Sequence, residues 1–311
     1  MVCGLWFFDF LVFVYIHTPN CLLLLIIMEL ASAVDSAVAA GLEAIEIVPD
    51  FLFPSEDEMI VESKVLGIRY KALYKRYVEL SKRNQQFTPS ALLITILATP
   101  ENVTAWNRRK DLCIEGGIAK AKAEWKLITI ILQSHLEKLC KSPLAWYHRK
   151  WLLKTFGPEV CELVHNADST EGKCDDELIR LHTEFNLVKV ATEHHRCNYA
   201  AWGYLRWFIL QMSPAKTSAG TGEYNKPGST YKESKALQEF QEPILEPVIK
   251  AEIVRLLEKM CVQHVSDCSV WSFVFWLNEP QLYTLAETLN QKLPGHQALA
   301  YPLAIHTSKF S

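Results

Sequence analysis

The chain has 311 residues and a formal net charge of −3, from 32 basic and 35 acidic side chains. This balance excludes the strong positive field that holds proteins on nucleic acid or on an anionic membrane, so neither is an expected partner. Half of the residues are apolar and only 12 are glycine, which favours helices over sheets. Composition therefore predicts an all-α fold.

Residues 1–27 form an apolar N-terminal segment with two runs, 5–16 and 21–27. Each run is shorter than the roughly 20 residues that a membrane-spanning helix needs, and Asp9 interrupts the first run. No lysine or arginine precedes Lys64, so the basic start of a signal peptide is missing. The preferred interpretation is that this segment is not translated and that the protein starts at Met28; the alternative is a noncleaved anchor. No membrane span is expected.

Residues 28–86 are predicted to form an N-terminal helical region. Met28 opens a polar, helix-prone stretch that would make an ordinary amino terminus for a cytoplasmic protein.

Nine cysteines are irregularly spaced, without a Cys-x-x-Cys pair, and an odd number cannot all pair within one chain. Reduced thiols in the cytoplasm fit this pattern best. His194, His195 and Cys197 are the nearest approach to a metal cluster, but neighbours on one helix end cannot converge on an ion without further ligands. A solvated helix terminus is the preferred interpretation, and no metal or cofactor is expected in this chain.

A repeat organises residues 87–280. Its anchors are four tryptophans at steps of 40, 56 and 69 residues, namely Trp106, Trp146, Trp202 and Trp271. The growing steps indicate insertions, and the segment 213–235, rich in Gly, Ser, Thr and Lys, is predicted to be an inserted loop. The C-terminal tail, 281–311, matches no repeat.

Each anchor follows an amphipathic helix and a turn, so the unit is a helical hairpin. In the second unit, apolar residues recur at three- and four-residue steps over 125–139, which predicts a helix there. Ser142 is predicted to cap the next helix and Pro143 to occupy its first turn. Caps are also predicted before the later anchors, at Asn198 and at Ser266 or Asp267.

Tryptophan and arginine recur together in the first two units. A wide indole can bridge neighbouring hairpins that cannot bury their apolar faces alone. Arg109 and Arg149 lie one turn beyond Trp106 and Trp146, so each guanidinium is predicted to lie beside an indole. The preferred interpretation is a core contact in which arginine satisfies a carbonyl or carboxylate of the adjacent unit.

The segments around Trp106, Trp146 and Trp202 resemble the repeat of protein prenyltransferase α subunits. In that family, Asn-Tyr-x-x-Trp-x-x-Arg opens the second helix of each pair, and Asn198-Tyr199-Ala200-Ala201-Trp202 is the closest copy here. Segments 45–49, 61–67 and 264–267 look like the repeat-containing proteins of the same family.

The resemblance implies a right-handed, tetratricopeptide-like superhelix of antiparallel helix pairs that wraps around a β subunit. Since zinc and the lipid pocket lie in β in that family, this chain would be a noncatalytic subunit of a heterodimer. The implied partner is the Rab geranylgeranyltransferase β subunit. The implied reaction is the geranylgeranylation of a cysteine near the C terminus of a protein substrate such as a SNARE. The candidate positions for the repeat motif and for a partner or substrate groove are Trp106, Arg109, Trp146, Arg149, Asn198, Tyr199, Trp202 and Trp271.

Some positions depart from the family pattern. The family has a lysine that faces the lipid diphosphate five residues before the third tryptophan, whereas this chain has Cys197, and a thiol cannot supply that charge. Leu205 and Val274 replace the arginine of the third and fourth units. Tyr199 matches the family tyrosine beside the reacting groups, and a buried tyrosine of the capping turn is an equally good interpretation. These departures leave open a second hypothesis, a tetratricopeptide-like adaptor that binds peptides and has no transferase activity.

Overall fold

The computed structural model describes residues 44–50, 59–62, 64–83, 88–161, 173–212 and 245–294, together with residues 298, 299 and 303. These residues contain ten α-helices and one small sheet, so the predicted all-α class is confirmed. The chain divides into two compact units, 1–161 and 162–311, which are called unit 1 and unit 2 below. The expectations for residues 1–27 and for the loop 213–235 lie outside the described residues.

The described part of unit 1 begins with a three-stranded sheet, in the order β1-β3-β2. Strand β1 pairs parallel with β3, Ile45 opposite Leu66, and β2 pairs antiparallel with β3, Val61 opposite Leu66. The strands are β1 (Ala44–Val48), β2 (Met59–Glu62) and β3 (Val65–Arg69).

The expectation of a helical region over 28–86 is therefore wrong over these three strands. Ile45 and Ile47 are both buried, as are Leu66 and Ile68, so burial follows the two-residue period of a strand. β-branched residues pack well on such a pleated surface.

The described helices of unit 1 follow the sheet. They are α1 (Tyr70–Arg83), α2 (Pro89–Ala98), α3 (Val103–Leu132), α4 (Glu137–Cys140) and α5 (Pro143–Phe156), which runs into a 3₁₀ turn, Gly157–Val160. Helix α2 is buried from Ala91 to Ala98, which explains its nearly uniform apolar sequence.

Helix α3 folds back on itself at Gly117. This glycine has φ 65° and ψ −158°, which interrupts the helix. A Cβ at this position would meet no atom within 4 Å, so glycine is required by the left-handed φ and not by space. Arg109 and Glu124, 15 residues apart, are in hydrogen-bond contact across the break. A continuous helix would hold them roughly 22 Å apart, so the two arms of α3 form a hairpin.

The helix predicted over 125–139 ends earlier than expected, at Leu132. The Ser134 side chain accepts a hydrogen bond from the Leu136 amide, and the His135 amide donates to the Glu46 carboxylate. These two contacts replace helical hydrogen bonds, so Leu139 lies in the separate short helix α4.

Unit 2 consists of five described helices. Helix α6 packs against α7, α7 against α9, and α8 against both α9 and α10. Their bounds are α6 (Lys173–His194), α7 (Tyr199–Met212), α8 (Pro247–Gln263), α9 (Cys268–Leu277) and α10 (Pro280–Lys292). The predicted tail 281–311 therefore begins inside a helix.

None of the helices in the described ranges combines the length and the apolar character needed to cross a membrane.

Candidate functional site

Every anchor helix begins with a side-chain cap four residues before its tryptophan. Each cap accepts a backbone amide of the first helical turn at 2.8–3.2 Å. The four caps are Asn102, Ser142, Asn198 and Asp267. The predicted caps are confirmed, and of the two candidates in the fourth unit it is Asp267 that caps. A shared cap places the four tryptophans at the same point of their hairpins.

The indoles are buried in equivalent positions. Trp106, Trp146, Trp202 and Trp271 are all at most 3% exposed. Three of them donate the indole N–H to the backbone carbonyl six residues earlier: Trp106 to Pro100 at 2.6 Å, Trp146 to Cys140 at 2.8 Å and Trp271 to Val265 at 2.8 Å. These three anchors therefore fasten their helices to the turns that precede them.

Trp202 is the exception, because its buried Nε1 has no hydrogen-bond partner. In its turn, Cys197 has φ 58°, whereas the corresponding Lys141 of the second unit has φ −93°. The φ of a residue sets the direction of the preceding carbonyl, so the Arg196 carbonyl is turned relative to its counterparts. A left-handed non-glycine residue costs roughly 1–2 kcal/mol. The Cys197 amide is held there by the Asp267 carboxylate at 3.1 Å.

A buried charged cluster joins the first two anchors in unit 1. Arg109 binds both carboxylate oxygens of Glu124, Nε to Oε1 at 2.7 Å and Nη2 to Oε2. His148 Nε2 lies 2.9 Å from Glu124 Oε1. The His148 ring is fully buried, with ring centroids 4.8 Å from Trp106 and 5.6 Å from Trp151. The predicted carboxylate partner of Arg109 is thus Glu124, in the second arm of α3.

The protonation states of this cluster follow from its contacts. Burial alone raises the pKa of Glu124, but the Arg109 charge and the His148 hydrogen bond outweigh it and hold that pKa well below its ordinary value. Burial lowers the pKa of His148, although Glu124 opposes the shift. A neutral His148 that donates from Nε2 also accounts for its buried, unpaired Nδ1, which then carries no proton.

Arg149 makes a different core contact. Its guanidinium carbon lies 3.7 Å from the centroid of the Trp125 ring, and Nη1 donates to Thr129 Oγ1 at 2.7 Å. The prediction paired Arg149 with Trp146, whereas the structure places it over Trp125 in the second arm of α3. The spacing along the sequence does not determine the partner of Arg149, because an arginine side chain is long enough to reach the neighbouring helix.

In unit 2, the positions of these arginines are filled by Leu205 and Val274, both fully buried. The surroundings are correspondingly apolar. The Trp202 ring lies 6.2 Å from Phe185 and 5.0 Å from Phe273. At these two positions apolar packing therefore replaces the charged contacts of unit 1, and the core remains filled.

The turns before α7 and α9 bring three chemically active groups together. Cys197 Sγ lies 3.2 Å from Cys268 Sγ, and the Tyr199 hydroxyl donates to Cys268 Sγ at 3.0 Å. This hydrogen bond, with burial, raises the pKa of Tyr199 to about 12, so the phenol is neutral. Tyr199 is 55% exposed, and the interpretation as a buried tyrosine of the turn is wrong.

Sequence reasoning missed Cys268. The sequence carried a signal for its contact with Tyr199, because Cys268 and Tyr199 both lie three residues before their tryptophans, but it carried none for the contact with Cys197. Equivalent positions in successive hairpins are close in space when the hairpins stack.

Among the described residues, the donor atoms of Cys197, Asp267 and Cys268 lie within 4.8 Å of one another and could meet at one ion. Asp267 is already engaged, since Oδ1 accepts the amide and hydroxyl of Ser269 and Oδ2 accepts the Cys197 amide. Two thiols are then left, fewer than the ligands that structural zinc requires. His194 ends helix α6, as expected for a helix terminus.

Comparison with known proteins agrees with this repeat geometry. Residues 181–212, which comprise the end of α6, the turn and α7, match the family described as protein prenyltransferase alpha subunit repeat. This match covers the third of the four tryptophan-anchored hairpins. The predicted family resemblance is confirmed.

Curated relatives fall into two kinds. Protein prenyltransferase alpha subunit repeat-containing protein 1 is 28% identical in Danio rerio and 25% identical in Homo sapiens, over 51% of this chain and 38% and 40% of the relative. The geranylgeranyl transferase type-2 subunit alpha of Candida albicans is 22% identical over 72% of this chain and 69% of its own length. The chain thus spans about two fifths of the repeat-containing relatives that it matches.

Within the repeats, the eight candidate positions divide by exposure. Seven are buried, and only Tyr199 is exposed among these eight. The buried ones are Trp106, Arg109, Trp146, Arg149, Asn198, Trp202 and Trp271. They build the hairpins, which supports the core interpretation, and their role in a groove stays a prediction. Tyr199 is the candidate that another molecule can reach directly.

Proposed function

We propose that this chain is an α-type subunit of a protein prenyltransferase and works by pairing with a catalytic β subunit. The observation that carries the proposal is the prenyltransferase α-subunit repeat itself, with its capped, indole-anchored hairpins. The Candida albicans relative supports it, because the similarity to a transferase subunit extends over 72% of this chain.

The roles proposed for the two subunits follow from the chemical groups that this chain contains. The buried Arg109, Glu124 and Arg149 are engaged with one another or with the core, so they act as rigid structural contacts. The zinc ion that activates the substrate thiolate would be held by the β subunit, since the thiol and carboxylate groups around Cys197 do not complete a zinc site. The present chain would hold β and form one wall of the substrate groove.

Tyr199 is the proposed contact with the substrate or with β. It stands at the first position of α7, exposed, with its hydroxyl directed to Cys268. Cys197 takes the place of the family lysine, and the neighbouring Arg196 donates to Ser266 Oγ at 3.0 Å. The charge that assists departure of the diphosphate would therefore come from β.

For the partner we propose the β subunit of Rab geranylgeranyltransferase. The lipid would be geranylgeranyl and the acceptor a cysteine near the C terminus of a cytoplasmic protein. The name of the Candida albicans relative supports this choice of lipid.

Coexpression with that β subunit tests the proposal. We expect the two chains to copurify, and transfer from geranylgeranyl diphosphate to a protein with a C-terminal cysteine to require both. A monodisperse chain that fails to bind any prenyltransferase β subunit would remove the proposal.

A matched pair of variants tests the role of Tyr199 in the same complex. Tyr199→Ala should lower kcat/KM on the order of tenfold, the loss of about 1.4 kcal/mol of binding in the transition state. The control is Tyr147→Ala, at a comparably exposed tyrosine of unit 1 (48% against 55%). This variant should keep a kcat/KM close to that of the unsubstituted complex. Equal effects would show that Tyr199 has no special position.

The second candidate function is a peptide-binding adaptor without transferase activity. The thiol of Cys197 where the family has a lysine is the observation that favours it. Capture of peptides by the chain alone, without transfer after β is added, would support the adaptor, and transfer in the mixture decides against it.

A further inference from the structure

Two thiols from distant parts of the sequence meet in unit 2. Cys197 and Cys268, 71 residues apart, bring their sulfur atoms to 3.2 Å. Cys197 lies in the turn before α7 and Cys268 is the first residue of α9. Both thiols are half-buried and free, so a small solute can reach them.

The backbone holds the pair in place. The Asp267 carboxylate accepts the Cys197 amide at 3.1 Å and, through its other oxygen, caps α9 at the Ser269 amide. A residue next to Cys268 is thus fastened to the backbone of Cys197. This contact keeps Cys197 in its left-handed conformation, φ 58°.

We propose that Cys197 and Cys268 are a modification site at which a reversible disulfide forms by exchange with a small disulfide oxidant, such as oxidised glutathione. A disulfide needs a sulfur separation of about 2.05 Å, so the sulfur atoms must approach by about 1.1 Å. Side-chain rotation at the two turns can supply this movement. The inference does not depend on the proposed function.

The exchange proceeds in two steps. The Cys268 thiol first loses its proton, and its thiolate attacks one sulfur of the oxidant, which releases one small thiolate and leaves a mixed disulfide. The Cys197 thiolate then attacks the Cys268 sulfur and displaces the second small thiolate. Two electrons pass from the protein to the oxidant, and the two protons end on the released thiols.

Cys268 is assigned the first step on geometry. It is the first residue of α9, and its sulfur receives the Tyr199 hydrogen bond at 3.0 Å, so a hydrogen-bond donor lies beside the attacking sulfur. The contact with Cys268, burial and the Asp267 charge together raise the pKa of Cys197, so Cys197 fits the resolving role.

The other cysteines whose side chains the structure describes are less suited to this reaction. Cys113, Cys140 and Cys261 are buried. Burial raises the pKa of Cys113 to about 12 and raises that of Cys261 strongly as well. Cys161 is half-buried, like the proposed pair, and serves as the matched control.

The test equilibrates the purified full chain in glutathione buffers of graded redox potential. Free thiols are then blocked, and the protein is digested without reduction for peptide mass spectrometry. We expect one cross-linked peptide pair that joins Cys197 to Cys268, with a defined midpoint, and its loss on adding dithiothreitol. The cross-link closes a long loop, so Tm should rise on the order of 5–10 °C in the oxidised form.

Substitutions then separate the pair from its surroundings. Cys197→Ser and Cys268→Ser should each abolish the cross-link and the rise in Tm, while Cys161→Ser should leave both unchanged. Circular dichroism checks that the variants fold. If either variant does not fold, the redox titration of the unsubstituted chain still tests the proposal.

Three results would overturn the proposal. One is that both thiols stay reduced at potentials where ordinary protein disulfides are oxidised. Another is that cross-links scatter among many cysteines. The third is that the pair resists alkylation until a chelator removes a bound metal ion, which would make it a metal site.

Discussion

Glu124 holds two partners in the core of unit 1 and is itself only 3% exposed. Its carboxylate accepts from Arg109 and contacts His148. A buried charge of this kind is stable only while it is paired, because desolvation of a single ion costs several kcal/mol.

Glu124→Ala leaves the Arg109 guanidinium buried without its carboxylate. We expect a loss of about 3–5 kcal/mol in the free energy of unfolding. Urea unfolding followed by circular dichroism measures it. The control is Asp111→Ala, which breaks the exposed pair with Arg108 on the same helix and should cost at most about 0.5 kcal/mol. Similar losses in both variants would contradict the structural role of the buried pair.

His148 predicts a pH dependence of stability. Its pKa in the folded protein lies below the ordinary value of about 6.5, so the unfolded chain binds more protons as the pH falls. The contribution of His148 to the free energy of unfolding is therefore fully present above about pH 6.5. Below that pH the contribution falls by up to about 1.4 kcal/mol per pH unit.

Unfolding in urea at pH 7.5, 6.5 and 5.5 checks this slope. His148→Gln can still donate to Glu124 but does not titrate, so its free energy of unfolding should change less over the same range. An equally steep loss in the variant would assign the slope to other groups.

At the level of elements, the repeated unit is a helix fastened to its preceding turn by a cap and by an indole hydrogen bond. The cap satisfies an amide that the first helical turn leaves without a partner. The indole hydrogen bond recurs at Trp106, Trp146 and Trp271 but not at Trp202.

This difference allows a comparison within unit 2. Trp271→Phe removes a hydrogen bond together with indole packing, whereas Trp202→Phe removes packing only. We expect Trp271→Phe to lower the free energy of unfolding by about 1 kcal/mol more than Trp202→Phe. Equal losses, measured by urea unfolding, would mean that the indole hydrogen bond adds nothing to the seam.

Much of this element could be predicted from the sequence. The caps Ser142, Asn198 and Asp267 were identifiable because a capping side chain acts on amides two or three residues ahead. The partners of Arg149 and Cys197 were not identifiable, since Trp125 and Cys268 are brought to them by the packing of hairpins. Strands β1 to β3 were missed because their short apolar runs occur in helices as well.

For the whole molecule, the division into unit 1 and unit 2 predicts local responses to local damage. Glu124→Ala should raise amide hydrogen exchange chiefly in α3 and α5, and Trp271→Phe chiefly in α8 and α9, because cooperative opening follows the contacts within a unit. Hydrogen exchange with mass spectrometry measures both. A uniform rise along the chain for either variant would show that the chain opens as one unit.

The sequence by itself determined the helical class, the four tryptophan anchors and most of their caps, because these depend on residue type and on spacing along a helix. The tertiary structure alone decided that Arg109 finds Glu124 across the break at Gly117, that Tyr199 is exposed, and that Cys197 meets Cys268. The physical reason is that each of these depends on how separate helices fold back and pack, and no local spacing encodes the distance between side chains on different helices.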